Sequence, residues 1–422
     1  MSITLLGLIW APLLILIFLL PYRYSFLLLL ISSIFQASSL LDVSGVSFPP
    51  YILTQVAFIL RNITVLIKLR FKKESALLLV FVICSCVITV LSPMIFSGMY
   101  VYKPSLGIDE NYLLGGVPLS FSSGNVNQII LLLLNLLCFL CVIENKKFIN
   151  DIQAVRYLNI VLIVFFFVSI VELMARMGFV IVPMEIFWNN LNMAQIGMGG
   201  QGRIHATFSE ASSAGALIAA AVWARISLLG IDKKSIIFLI GLIFLFSINM
   251  SGTAIIGIAA GGAIFMLISN LNRTYFIYIA MIVFMAIFYL VGGIDWLTNY
   301  IVEKNSSDSG VHRFGADIFA IELIIKTFGI GVGLGSNRAS GFLVNIFSSV
   351  GIIGGVLFLL FMVKVVKILF ITRLSDPYSR FYLSFLLTML MTMIISGPDI
   401  NNPVFWCAIM LCSTKLVNIR AS

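Results

Sequence analysis

Apolar residues come along this chain in runs of roughly twenty, separated by short polar stretches. A helical run of that length crosses about 30 Å of hydrocarbon. The predicted spans cover about 3–20, 24–41, 52–69, 76–97, 126–144, 157–176, 209–229, 236–250, 254–269, 276–292, 341–363, 380–397 and 403–417. The pattern predicts an all-α polytopic membrane protein of about 12–13 transmembrane helices. Twelve result if the first two runs form one hairpin-like unit or if one run is re-entrant. Residues 1–422 read as a single integral membrane domain, without a soluble domain or an internal repeat.

Between the runs, basic residues fall in every second connection: Lys68, Arg70, Lys72 and Lys73; Lys146, Lys147 and Arg156; Lys233, Lys234 and Arg273; Lys364, Lys367, Arg373 and Arg380; Lys415 and Arg420. Lys and Arg are held on the cytoplasmic side, so these connections and the C-terminus are expected inside. The outward connections are long at about 98–125, 177–208 and 293–340. Within the last, "RFGADIFAIELIIKTFG" places Ile318, Phe319, Ile321, Ile325 and Phe328 on an apolar side and pairs Glu322 with Lys326. It reads as an amphipathic helix on the outer surface or over a cavity.

Composition agrees: 61% of residues are hydrophobic and 10% charged, which excludes a soluble globular domain. The net charge of +9 is topogenic in this reading and implies no nucleic-acid partner. The first run, "ITLLGLIWAPLLILIFLL", lacks a basic leader and a small-residue cleavage site, so a retained span is expected. Cys84, Cys86, Cys138, Cys141, Cys407 and Cys412 all lie in apolar runs and read as packed thiols. No His/Glu set, zinc set or Asp-x-Asp pair suggests a metal.

Chemistry is expected where charge defies topology. Arg203, Arg313 and Arg338 are on the outward side, and His205 and His312 each accompany one of them. Guanidinium groups give bidentate hydrogen bonds to phosphate oxygens, so a lipid-linked phosphate is one partner. Lipid headgroups, Glu303 or Asp308 are the plainer ones. An imidazole is a common general base, though loop histidines are often inert. Glu210 is either a proton acceptor or a carboxylate favoured by a helix N-terminus. Arg61, near mid-span, should face the interior or a wet cavity and is a further phosphate candidate. Glu172 and Arg176, four apart, read as a structural pair. "GVGLG" at 331–335 has no preceding strand, so it reads as a sharp turn before membrane re-entry, not a dinucleotide loop.

"RIHATFSEASSAG" resembles the arginine-bearing outer-loop motif of the bacterial O-antigen polymerase and ligase superfamily. "HRFGADIFAIELIIKTFGIGVGLGSNRASGFLVNIFSSVGIIG" resembles its second motif, and together the resemblance covers roughly residues 200–362. It implies a GT-C-like glycosyltransferase in the bacterial inner membrane, with its active site facing the periplasm. The implied substrate is undecaprenyl-pyrophosphate-linked glycan, its pyrophosphate held by Arg203 and Arg313 with Arg338, Asn337 and Arg61 as further ligands. Glu210, His205 and His312 are the candidate bases, in that order. The resemblance implies membrane lipid and a separate co-polymerase chain-length regulator as partners, and no cofactor or metal. Where ligases carry a His-Asn pair, this chain has Asn337 and Arg338, which favours polymerisation and leaves the base unassigned. The alternatives are a ligase transferring polymer to lipid A core, and a flippase or transporter for the same lipid.

Overall fold

The computed structural model describes residues 2–68, 73–102, 116–145, 148–191, 203–269 and 308–415, with the side chains of 73, 74 and 308–312 set aside. The predicted span 276–292 lies outside the described residues. Fourteen helices are described: α1 (Leu5–Leu19), α2 (Tyr22–Ser32), α3 (Pro50–Arg61), α4 (Ile63–Ile67), α5 (Lys73–Ile95), α6 (Ser123–Asn145), α7 (Asp151–Arg176), α8 (Ala211–Ile226), α9 (Lys234–Asn249), α10 (Gly252–Ile268), α11 (Asp308–Lys326), α12 (Phe342–Thr372), α13 (Pro377–Ser396) and α14 (Pro403–Lys415). Five are long and apolar enough to cross a membrane: Ser75–Ile95 within α5, α6, α7, α12 and α13. Six shorter apolar helices pack among them.

Local chemistry starts these helices. Thr4 caps α1, Asn150 and Gln153 form a capping box on α7, and Ser251 caps α10. Pro377 opens α13 behind an Asp376 cap, and Pro50 opens α3. Thr4 bonds the Ser39 carbonyl, Ser39 bonds Asn189, and Ala37 bonds Thr207, so these connections share one end of the bundle, here the upper end. At the lower end Lys415 bonds both Asp151 and Asp376, the latter at 2.6 Å, joining α7, α13 and α14.

Three predicted elements differ. The run 24–41 is helical only to Ser32. Beyond it, Ser33, Gln36, Ser38 and Ser39 are buried on backbone and side-chain partners, and Leu41–Val43 (β2) pairs with Ser2–Ile3 (β1) and Val46–Phe48 (β3). Tyr100–Tyr102 (β4) pairs with Gly116–Pro118 (β5), so the described residues are mostly helical with two small sheets, compatible with an all-α membrane protein. The run 52–69 breaks at Asn62, whose amide group bonds Phe58 and whose carbonyl oxygen accepts from Asn145.

The centre is built from α8 and α14. Ala214–Arg225 and Val404–Lys415 are buried throughout, which lets helices of 16 and 13 residues serve without spanning lipid themselves. Close packing follows from small residues: Gly257 of α10 meets Ala219 and Thr392, and Gly261 meets Trp223 and Thr388. Ser227 and Ser384 hydrogen-bond at 2.8 Å. Four residues down α8 therefore match four residues up α13, across three successive pairs. Continuing that register sets Gly215 opposite Ser396 and brings the start of α8 to the upper end of α13.

Helix α12 is broken at Gly351, whose φ of 71° and ψ of −178° leave the helical region. The preceding segment fills the break: Val332 N bonds Ser348 O, Gly333 N bonds Ser349 O, and Ile352 N bonds Gly329 O, at 2.8–2.9 Å. Backbone polar groups freed at membrane depth must find such internal partners.

Candidate functional site

Arg203 projects from a loop held at almost every peptide. Glu172 Oε2 accepts the amides of His205 at 3.1 Å and Ala206 at 2.6 Å. The Ala206 carbonyl accepts from Trp188 Nε1 at 2.6 Å, and the Thr207 hydroxyl donates to Ile34 O at 2.6 Å. Asn249 Nδ2 spans the Ile204 and Ala211 carbonyls at 2.7 and 2.9 Å. Ala206 sits at φ 53°, a left-handed conformation that these bonds over-determine. The half-buried Arg203 guanidinium makes no hydrogen bond or ion pair with any described residue.

His205 is 3% exposed and stacked 4.4 Å from Trp188. Its Nδ1 meets Phe208 O at 2.7 Å, which assigns the ring proton to Nδ1. Its Nε2 is buried 3.8 Å from Glu172 Oε1 without a hydrogen bond. The sequence offers His205 as a base, but neither nitrogen is both free and accessible, so the ring supports the loop. Glu210 precedes α8 without capping it, and its Oε2 accepts from Ser212 at 2.8 Å. The His312 side chain lies outside the described residues.

The second arginine enters from α11. Arg313 Nη1 donates to Ser396 Oγ, the last residue of α13, at 3.0 Å. One turn on, Asp317 Oδ1 accepts the amides of Ser340 and Gly341 at 2.7 and 3.0 Å, which secures α11 across the start of α12. Glu322 and Lys326 pair at 2.9 Å on the exposed side of the helix, as their spacing predicts.

Glycine chemistry places the third. Gly329, Gly331, Gly333 and Gly335 all have positive φ, and the segment runs against Thr89, Gly124 and Gly351, where no Cβ would fit at 331 or 335. The amides of Gly331 to Leu334 are all engaged, on Thr327 Oγ1, Ser348 O, Ser349 O and Thr89 Oγ1. No free amide nest remains there for a phosphate, and the segment is a packed crossing of α5, α6 and α12. It ends at Asn337, 5% exposed, whose Oδ1 takes the Tyr102 amide at 3.1 Å and whose Nδ2 has no partner. Arg338 follows with an exposed side chain.

Asp399 lies in the loop joining α13 to α14, near enough to Arg338 to feel its charge. Its side chain is open to solvent, yet enough protein surrounds it that desolvation raises its carboxyl above the ordinary range. The Asn401 amide, at 2.9 Å on Oδ1, and the Arg338 charge act in the opposite sense without overcoming it. Asn345 fixes the same loop by donating to Pro398 O at 2.7 Å. Beneath it a buried polar column descends into the bundle: Asn401 on Gln128, Asn135 on Asn401, and both Gln55 and Tyr51 on Asn135.

The fold thus brings Arg313 onto Ser396, at the start of the loop that holds Asp399, with Arg338 near enough for its charge to act on that carboxyl. The register of α8 on α13 carries Glu210 and the Arg203 loop to the same end. Arg61 is corrected. It ends α3 at the lower end, where its Nε and Nη2 cap the Ile17 and Leu20 carbonyls of α1 at 2.6 and 2.5 Å. Among the described residues no group of three or more His, Cys, Asp or Glu side chains is arranged to hold a metal. All six cysteines are free, four of them buried. Sequence reasoning missed Asp399, Asp317 and the reach of Glu172. "SGPDINNP", a dense polar stretch between two apolar runs, was the available signal for Asp399.

No protein-family model matches the chain, and comparison with curated proteins finds no match either.

Proposed function

We propose that the protein is a membrane glycosyltransferase of GT-C-like architecture that polymerises undecaprenyl-pyrophosphate-linked oligosaccharide repeats on the outward face of the bacterial inner membrane. The observation that carries this reading is the convergence of Arg313 and Arg338 on the loop that holds Asp399. A hydroxyl of the acceptor repeat attacks the anomeric carbon of the donor, and the bond from that carbon to the pyrophosphate oxygen breaks. Arg313, Arg338 and Arg203 hold the departing pyrophosphate, since preorganised cations in a sheltered site stabilise charge as it develops. Asp399 takes the hydroxyl proton, because a raised carboxyl pKa brings a base nearer the working pH. Asn337 Nδ2, buried and unbonded, is a donor available to a sugar oxygen. A chain-length co-polymerase would act as a separate partner.

The test is reconstitution of purified protein with lipid-linked single repeats. A ladder of products supports polymerisation, and reaction only when lipid A core is added would replace it with ligation. Translocation of the same lipid is a second reading, favoured by the break in α12 at Gly351, because broken helices are common in transporters. Lipid flux without glycosidic bond formation would favour it.

A further inference from the structure

Glu172 is fully buried in α7, four residues from the helix end. An ion pair with Arg176 explains only one of its oxygens: Oε1 takes Arg176 Nε at 2.9 Å and Nη2 at 2.8 Å. Oε2 is spent on the backbone, accepting the amides of His205 and Ala206 two and three residues beyond Arg203. The remaining contacts reinforce the same place. Trp188 lies against His205, bonds the Ala206 carbonyl, and has the Arg176 guanidinium 5.9 Å from its ring centroid.

A carboxylate buried at this depth is costly unless fully paired, and a simple i,i+4 pair at a helix end needs no such burial. Its pairing here holds a left-handed residue, Ala206, in a fixed place three residues after the arginine.

We propose that Glu172 is the positioning residue for Arg203, fixing the loop so that the guanidinium meets substrate phosphate at a set position. The proposal rests on the glycan reading above. Glu172 touches no substrate; it acts through the peptides at 205 and 206. With the acceptor gone, the two amides lose their shared partner and the loop samples other conformations.

Glu172→Gln would keep a carbonyl oxygen able to accept both amides, so the informative variant is Glu172→Met/Arg176→Met, which removes the acceptor and both charges together. Hydrogen exchange on the full-length purified protein reads the loop directly. Protection of the 203–208 amides should fall in the variant while that of α8 and α14 is retained; unchanged protection overturns the proposal. Turnover of lipid-linked repeats should drop about a hundredfold in kcat, the scale of misplacement by about 1 Å. In an Arg203→Lys background the same double change should cost less than about twofold, since residues acting as one unit are not additive. A fully additive loss would mean that Glu172 serves general stability and would overturn the proposal. Wild-type turnover in Arg203→Ala would overturn both this role and the glycan reading. Loss in Arg203→Ala with unchanged loop exchange in the Glu172 variant would overturn the role of Glu172 alone.

Discussion

Arg313 on α11 and Ser396 at the end of α13 meet at 3.0 Å across 83 positions of sequence. The bond joins an amphipathic helix to the loop that carries Asp399, whose carboxyl also feels the Arg338 charge. Arg313→Ala should therefore abolish long glycan while protein levels persist. Arg313→Lys should remain impaired, because an ammonium cannot reproduce a planar fork of donors. Ser396→Ala removes one hydrogen bond and should lower kcat/KM about three- to tenfold. Glycan gels and steady-state rates on reconstituted protein check all three, and wild-type ladders in Arg313→Ala would discard the site.

On the proposed chemistry Asp399 should set the acid limb of the pH–rate profile. Desolvation by the surrounding protein raises its carboxyl, and it accepts a proton only when ionised, so activity should fall as pH drops through a value above the ordinary carboxylate range. Arg338 acts to lower that value, so Arg338→Met should move the limb to higher pH. A limb that stays in place in Arg338→Met would separate Asp399 from the proton transfer. Asp399→Asn should remove turnover at every pH.

Two glycines should respond oppositely to alanine. At Gly351 a Cβ would sit 2.2 Å from Ile330 O on a backbone with φ 71°. Gly351→Ala should cost about 3 kcal/mol or more and lower Tm by roughly 5 °C or more. Gly315 lies in α11 with nothing within 4 Å of a Cβ, and Gly315→Ala should stabilise by about 0.5–1 kcal/mol. Thermal melts in detergent read both.

Lys415, nearly buried, lies between Asp151 and Asp376 at the lower end. Lys415→Met would leave both carboxylates without their cation and should cost about 3–5 kcal/mol. Burial pushes the Asp376 carboxyl up, but hydrogen bonds from Lys415 and Ser379 outweigh it and hold the pKa below the ordinary value. A lowered carboxyl pKa adds stability above the unfolded value that is lost as pH falls through the folded one. The wild-type margin over Lys415→Met should thus narrow on acidification below about pH 4, the unfolded value. An unchanged margin there would remove Lys415 as the cause.

The helical runs were legible because burying a backbone in lipid demands helix, and the demand writes itself into composition. The amphipathic α11 was legible for a related reason: its period marks two faces in one dimension. Arg61 was misplaced because a span interrupted at Asn62 looks continuous when only hydropathy is counted. Asp399 was overlooked because an acid in a short connection looks like any other loop residue until Arg338 is brought near it.

By itself the sequence determined the membrane-protein class and the glycines at 329–335, since each follows from residue type and local spacing. Tertiary structure alone decided that Arg313 meets Ser396, what Glu172 holds, and that His205 is buried under Trp188. Those outcomes depend on contacts between positions 17 to 83 residues apart, where packing and hydrogen-bond satisfaction choose the partner and no local pattern records the choice.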